Sequence, residues 1–372
     1  MFFLTFSNLW SFTFFFSVSY VILVTSLLIY LLPVVNNQLK YSLSKNKTYF
    51  LMLNSSDIFL ILVTPIVIIS LINFAWISPE ISAWFGHVVF ASFQTKIFTL
   101  LNFSFILFLW VFSHTTYYSS KEIYDFLITT FSFFYWIFLL FCSNSIFSTI
   151  FVIEVLSTLI LLLIVTSTFS STYFYRNTNL SFGHLFQQTT PFSYIQSILY
   201  FFWVSLISSL NLFLFCLFFY IKVLTFDWYL IEHIFNFVVT SSSSKEIFTL
   251  SLSWYILIFC LFLKCGVAPL YIWKPTFFKG IPFYTVFMYV CLFYFFLFLF
   301  IIHMLTSYFS EVYYFYSVTS VTFIFVGLFV LLSIVCETFY LKSFLAISSL
   351  LNSLFVFLAI ISPHLVDTLL LL

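Results

Sequence analysis

The sequence predicts an all-α polytopic membrane protein of about ten transmembrane helices, and three observations predict it. Only 6% of the 372 residues are charged and 63% are hydrophobic, with a mean hydropathy of +1.18. A soluble domain carries about 25% charged residues, so this chain cannot cover a surface that faces water. The apolar residues come in runs of the length that crosses a bilayer core of about 30 Å, for which roughly 20 residues at 1.5 Å each suffice. A transmembrane barrel would instead alternate polar and apolar side chains in segments of about ten residues, a pattern no stretch shows.

Ten runs meet that length: about 10–35, 49–76, 85–113, 124–143, 146–170, 191–220, 248–272, 282–305, 315–337 and 341–362. The breaks between them hold turn and polar residues, as in "NNQLKYSLSKNK", "TTYYSSKEIYD", "YRNTNLSFGHLFQQTTP" and "SSSSKE". Only "CSNS" separates the fourth run from the fifth, which makes those two a tight hairpin. Residues 1–35 read as a first span, because the run is too long for a signal-peptide core and no small-residue cleavage site follows.

Alternate loops fall on alternate sides, and the basic residues sort with them. Odd-numbered loops carry Lys40, Lys45, Lys47, Lys121, Arg176, Lys274, Lys279 and Lys342, which is eight, against Lys222 and Lys245 in the even-numbered ones. The positive-inside rule then puts the odd loops on the matrix or cytoplasmic side and both termini on the other. A net charge of +1 gives no sign of a nucleic-acid partner. Six cysteines lie in or beside apolar runs, without a CxxC or a Cys/His cluster, and read as packing residues. Phe (61) and Tyr (24) are abundant, Gly (5) and Pro (8) scarce, and Arg176 is the sole arginine. Hydrophobicity does not demand that bias, and an AT-rich organellar genome is the expected source of it.

Charges inside the membrane point to function, since each costs a few kcal/mol on insertion scales. Glu154, in "SIFSTIFVIEVLSTLIL", lies eight residues into its run, roughly 12 Å deep at the helical rise. Lys264 is about two-thirds along the seventh run, and Lys96 is comparably interior to the third. Asp57 and Glu337 are close to run ends, where interfacial roles suffice. Glu154 and Lys264 admit two readings: an ion pair holding two helices, or a proton relay. A carboxylate and an amine in a low-dielectric site shift each other's protonation strongly, which is what a relay needs. Lys96 reads as a satisfied or snorkelling lysine.

Lys264 belongs to "FLKCGVAPLYIWKP", which sets a glycine and two prolines into the same membrane-depth stretch. Pro269 cannot donate to the carbonyl of Cys265, and Gly266 weakens the same turn, so a broken helix is expected. The polar backbone groups freed by a break are tolerated at that depth only inside protein or beside water. Transporters place such breaks where ions bind or pass.

Taken together these residues resemble the antiporter-like membrane subunits of respiratory complex I, and among them subunit 2. The family pattern is a Lys, a small residue, then Ala-Pro-Phe-His-x-Trp-x-Pro, four residues, and Gly-x-Pro. Lys264, Gly266, Ala268, Pro269, Trp273, Pro275, Gly280 and Pro282 keep that spacing, with Tyr271 in place of the histidine. "FCSNSIFSTIFVIEVLSTLIL" is similar to the family's short hairpin and glutamate helix, which gives Glu154 the place of the pathway glutamate. "YLKSFLAISSLLN" is similar to a third family stretch through Lys342, Leu345, Ala346, Ser348 and Ser349, with Asn352 where a histidine usually stands.

The resemblance implies three N-terminal helices over 1–120, a first five-helix repeat over 121–310, and over 311–372 the start of an inverted second repeat, in a bundle lacking its last four helices. It implies proton translocation coupled to quinone reduction elsewhere in the complex, through Glu154 and Lys264 with Gly266, Pro269, Lys342 and Asn352 in support. It implies no NADH, flavin, iron–sulfur cluster, quinone or metal on this chain. The implied setting is the mitochondrial inner membrane, with odd loops in the matrix and both termini in the intermembrane space. The implied partners are other membrane-arm subunits, lipids, and a second chain supplying the missing helices. Leu199 and Tyr294 stand where the family usually has lysines. Glu154 is therefore expected to lack its usual basic partner, with Lys96 or a neighbouring subunit as substitute. A free-standing cation/proton antiporter of the same fold, or a structural subunit that does not pump, are the alternatives.

Overall fold

The structure, a computed structural model, describes residues 81–83, 86–115, 120–175, 191–228, 230–231, 233–234, 244–267, 270–308, 310–335 and 341–361. The first two expected spans lie outside these residues, as do Asp57, Arg176, Pro269, Glu337 and the last eleven positions of the chain. Helices dominate: α1 (Ser92–Thr115), α2 (Ser120–Cys142), α3 (Ile146–Tyr175), α4 (Pro191–Val223), α5 (Ser244–Cys265), α6 (Trp273–Gly280), α7 (Phe283–Met288), α8 (Phe295–Tyr308), α9 (Ser310–Val335) and α10 (Leu341–Ile361). Among the described residues four stretches are helical, long and apolar enough to cross a membrane: Ile146–Thr166, Ser193–Ile221, Thr285–Met304 and Leu341–Leu358. The chain is a helical membrane protein.

Two boundaries depart from expectation. The third run was expected to be helical from residue 85, but it opens with an antiparallel hairpin of β1 (Ile81–Ala83) and β2 (Val88–Phe90). The reason is local: β-branched Ile81, Val88 and Val89 flank a short turn, and a two-stranded ladder satisfies backbone groups that a helix start would leave orphaned. The seventh run was expected to reach 272, but α5 ends at Cys265.

The chain divides into two compact units, residues 1–144 with 158–179 and residues 145–157 with 180–372. In the described part of the first, α1 packs on α2 through aromatic rings, with Phe98 4.7 Å from Phe138 and Phe105 4.8 Å from Phe131 between centroids. Asn144 closes the end of α2 onto the hairpin loop, its amide N–H donating to the His87 carbonyl at 2.8 Å and its side chain to the Gly86 carbonyl at 3.2 Å.

In the second unit α3 starts where Ser145 and Ser148 donate backbone N–H groups to each other's hydroxyls, a reciprocal cap of two otherwise orphaned donors. The Ile146 N–H donates to the Phe226 carbonyl at 2.9 Å, which anchors that helix start to the segment after α4. Pro191 opens α4, where its missing N–H has no helical acceptor to lose. The α4 helix packs against α5 and α6, while Trp203, Leu210, Leu217 and Ile221 stay exposed. Such an apolar outer face suits lipid. Gly280, at the end of α6, is a close-approach position: a Cβ there would fall 2.3 Å from the Ser193 carbonyl oxygen and 2.6 Å from the Ser197 side chain. Between α7 and α8 the helix widens into a π-helical turn, Tyr289–Tyr294. Phe357 on α10 bridges α5 and α8, with ring centroids 4.7 Å from Phe262 and 5.2 Å from Phe298.

Candidate functional site

Glu154 is the ninth residue of α3 and Lys264 the last but one of α5. The fold brings them together across 110 positions: Lys264 Nζ donates to Glu154 Oε1 at 2.5 Å. The Lys264 side chain is only 5% exposed and that of Glu154 26%. An ammonium so buried is tolerated because a carboxylate answers it. The C-terminal end of α5 adds a partial negative charge of its own. Glu154 was expected to lack its usual basic partner, with Lys96 or a neighbouring subunit as substitute; the basic group it meets is Lys264, because the end of α5 reaches the first third of α3. Lys96 is exposed on α1.

The helix break follows Lys264 directly. Gly266 takes the left-handed conformation, φ 65°, which costs glycine nothing and any other L-residue strain. The Val267 N–H donates back to the Phe262 carbonyl at 2.8 Å and the Gly266 N–H to the Leu263 carbonyl at 3.2 Å. That pair of bonds is a Schellman motif with Gly266 at its C′ position. The Trp273 indole N–H also donates to the Leu263 carbonyl, at 3.2 Å. The break was expected from Pro269 together with Gly266, and the helix is closed at Gly266. Pro269 itself lies outside the described residues.

After the break the short α6 returns Lys274 to the interior. Expected as a matrix-loop lysine exposed to water, Lys274 is 0% exposed and enclosed by protein. Its Nζ lies 3.6 Å from the centroid of the Tyr294 ring and 6.0 Å from that of Phe278. Tyr294 is one of the two positions at which the resemblance leads one to expect lysine. The other, Leu199, sits on the exposed face of α4.

The supporting residues divide. Lys342, at the start of α10, donates to the Ile281 carbonyl at 2.8 Å and so ties α10 to the end of α6. Asn352 is exposed on α10, apart from Ser349 and Ser353, whose buried hydroxyls donate to carbonyls of their own helix. The described cysteines are free thiols: Cys142, Cys216, Cys260 and Cys265 are buried and Cys291 is exposed. Among the described residues no three His, Cys, Asp or Glu side chains converge as a metal site requires.

No family model matches the chain, and no curated protein matches it. What the site can do follows from its groups. The Glu154–Lys264 pair shares one transferable proton: on the amine both groups are charged, and on the carboxylate both are neutral. In a low-dielectric setting the balance between those states moves with small changes in separation or hydration. Lys274 was missed in the sequence because "WKP" reads as a loop lysine between turn-forming residues; its aromatic flanks were the one available signal.

Proposed function

We propose that this chain is an antiporter-like membrane-arm subunit of respiratory complex I, NADH:ubiquinone oxidoreductase, similar to its subunit 2. In this reading it couples quinone reduction elsewhere in the complex to proton translocation, and contributes no redox cofactor chemistry. Its setting is the mitochondrial inner membrane, with odd-numbered loops in the matrix, both termini in the intermembrane space, and other membrane-arm subunits and lipids as neighbours.

The observation that carries the reading is the 2.5 Å contact between Lys264 and Glu154 at the lip of a glycine-terminated helix. A pair placed only to hold two helices has no need of a helix break beside it, whereas a pair that exchanges protons needs polar backbone and water within reach. Three stretches in family order, around Glu154, Lys264 and Lys342, support the assignment to complex I over other carriers.

Native gel electrophoresis of detergent-solubilised membranes tests it. Co-migration of this chain with NADH dehydrogenase activity in a large particle is the expected result. A small independent particle without that activity would overturn the assignment and leave a free-standing cation/proton antiporter.

A further inference from the structure

The fold holds a second buried amine that the Glu154–Lys264 pair does not use. Lys274 is wholly enclosed, and among the described residues its Nζ has no hydrogen-bond partner. The Tyr289 hydroxyl, buried on the π-helical turn, has none among the described residues either, while the Tyr294 hydroxyl on the same turn lies beside Ser353 of α10. The two tyrosine rings are 6.3 Å apart between centroids, and the Lys274 amine faces that of Tyr294. Buried polar atoms are nearly always bonded, to protein or to ordered water. Polar atoms left unbonded in this way are the groups that ordered water satisfies.

Lys274 adjoins the first site. Cys265, the last residue of α5, is fully buried and interacts with both Lys264 and Lys274. The stem of Lys274 lies against the turn that ends the helix of Lys264, since a Cβ on Gly266 would stand 3.1 Å from Lys274 Cδ. The groups facing Lys274 are Cys265 from α5, Phe278 from its own helix and Tyr294 from the π turn; Ser353 of α10 lies beside the Tyr294 hydroxyl. Among the described residues no carboxylate pairs with it. A ring face alone offers an ammonium about 2 kcal/mol at most when desolvated, much less than a carboxylate would. Such a site suits an amine that gains and loses a proton, rather than one that keeps it.

We propose that Lys274 is a second proton-carrying group of this chain, housed with water between the Gly266 break and the Tyr289–Tyr294 turn. The proposal rests on the reading of the chain as a proton-translocating subunit. In the step, the Lys264 ammonium releases a proton to water in the break and becomes a neutral amine. That water passes a proton to the neutral Lys274 amine, which becomes an ammonium over the Tyr294 ring. One proton and one positive charge move, and no oxidant or further reactant is consumed.

The test uses the assembled complex in sealed native-lipid vesicles, with protons moved per NADH oxidised as the readout and native gels as the check on assembly. K274M should assemble and lower that ratio. The double variant K274M/Y294K, which returns an amine to the pocket from its opposite wall, should recover it. A purely structural lysine would not be rescued by a charge on another helix. An assembled K274M with the ratio of the wild type would overturn the proposal, as would an assembled double variant that recovers nothing. Should K274M not assemble, K274Q takes its place, and failure of both to assemble would assign Lys274 to the fold and overturn the proposal. E154Q serves as the control for the underlying reading. If E154Q lowers the ratio and K274M does not, only Lys274 is lost as a carrier; if neither does, the proton-translocating reading itself falls.

Discussion

Replacing Gly266 with alanine should destabilise the unit around the helix break by a calculable amount. At φ 65° an L-residue carries about 1–2 kcal/mol of strain, of which roughly 0.4–1 kcal/mol is offset by the stiffer unfolded chain. The new methyl group would stand 3.1 Å from Lys274 Cδ and 3.1 Å from Trp273 Cζ2. The lysine stem can move aside. The indole is less free, because its N–H is bonded to the Leu263 carbonyl, and losing that bond costs about 0.5–1.5 kcal/mol. The sum is roughly 2 kcal/mol, or a Tm lower by about 4–8 °C for a large domain. Thermal unfolding of the purified protein in lipid–detergent micelles reads it. G266N should fall less than G266A, since asparagine tolerates the left-handed region while bringing the same Cβ. A G266A protein with unchanged Tm, or one equal to G266N, would refute the account of the break.

Three other outcomes follow from single contacts. G280A should be the most damaging glycine substitution in the described structure, because its Cβ would meet the Ser193 backbone carbonyl at 2.3 Å; loss of folded protein in membrane extracts checks it. K342M removes the 2.8 Å bond to the Ile281 carbonyl and should lower stability by about 1 kcal/mol while leaving protons moved per NADH unchanged, measured by unfolding and by vesicle acidification. K264M alone strands the Glu154 carboxylate. Breaking a fully buried pair costs about 3–5 kcal/mol, and the 26% exposure of Glu154 brings the expected loss to roughly 2–3 kcal/mol, read by the same unfolding assay.

The membrane helices were legible because run length and hydropathy are sums over many residues, as the Pro191 start and long apolar body of α4 illustrate. The existence of a break near Lys264 was legible too, from Gly266 and its prolines. The left-handed form that Gly266 takes was not legible, because a glycine that caps a helix and one that only weakens a turn read alike in a sequence. The contact of Glu154 with Lys264 was one of two readings that their charges allowed, but its geometry was not legible: the residues are 110 apart, and no local period encodes which helices meet. Nor was the π turn, since "YVCLFY" is as apolar as the α-helical residues around it and differs only in hydrogen-bond partner. Lys274 was hidden by the ruler that found the spans. A short helix after a break scores as a loop, and a lysine in a loop is assumed to meet water.

The claim at the centre of this account is that Glu154 and Lys264 move protons instead of merely holding α3 to α5. The E154Q/K264M double variant separates the two directly, because it removes both charges and keeps both stems. A structural pair can be replaced by uncharged groups of similar volume with little loss. The account predicts that the double variant assembles, regains most of the stability lost in K264M, and still moves fewer protons per NADH than the wild type. A double variant that regains stability and moves protons at the ratio of the wild type would contradict it.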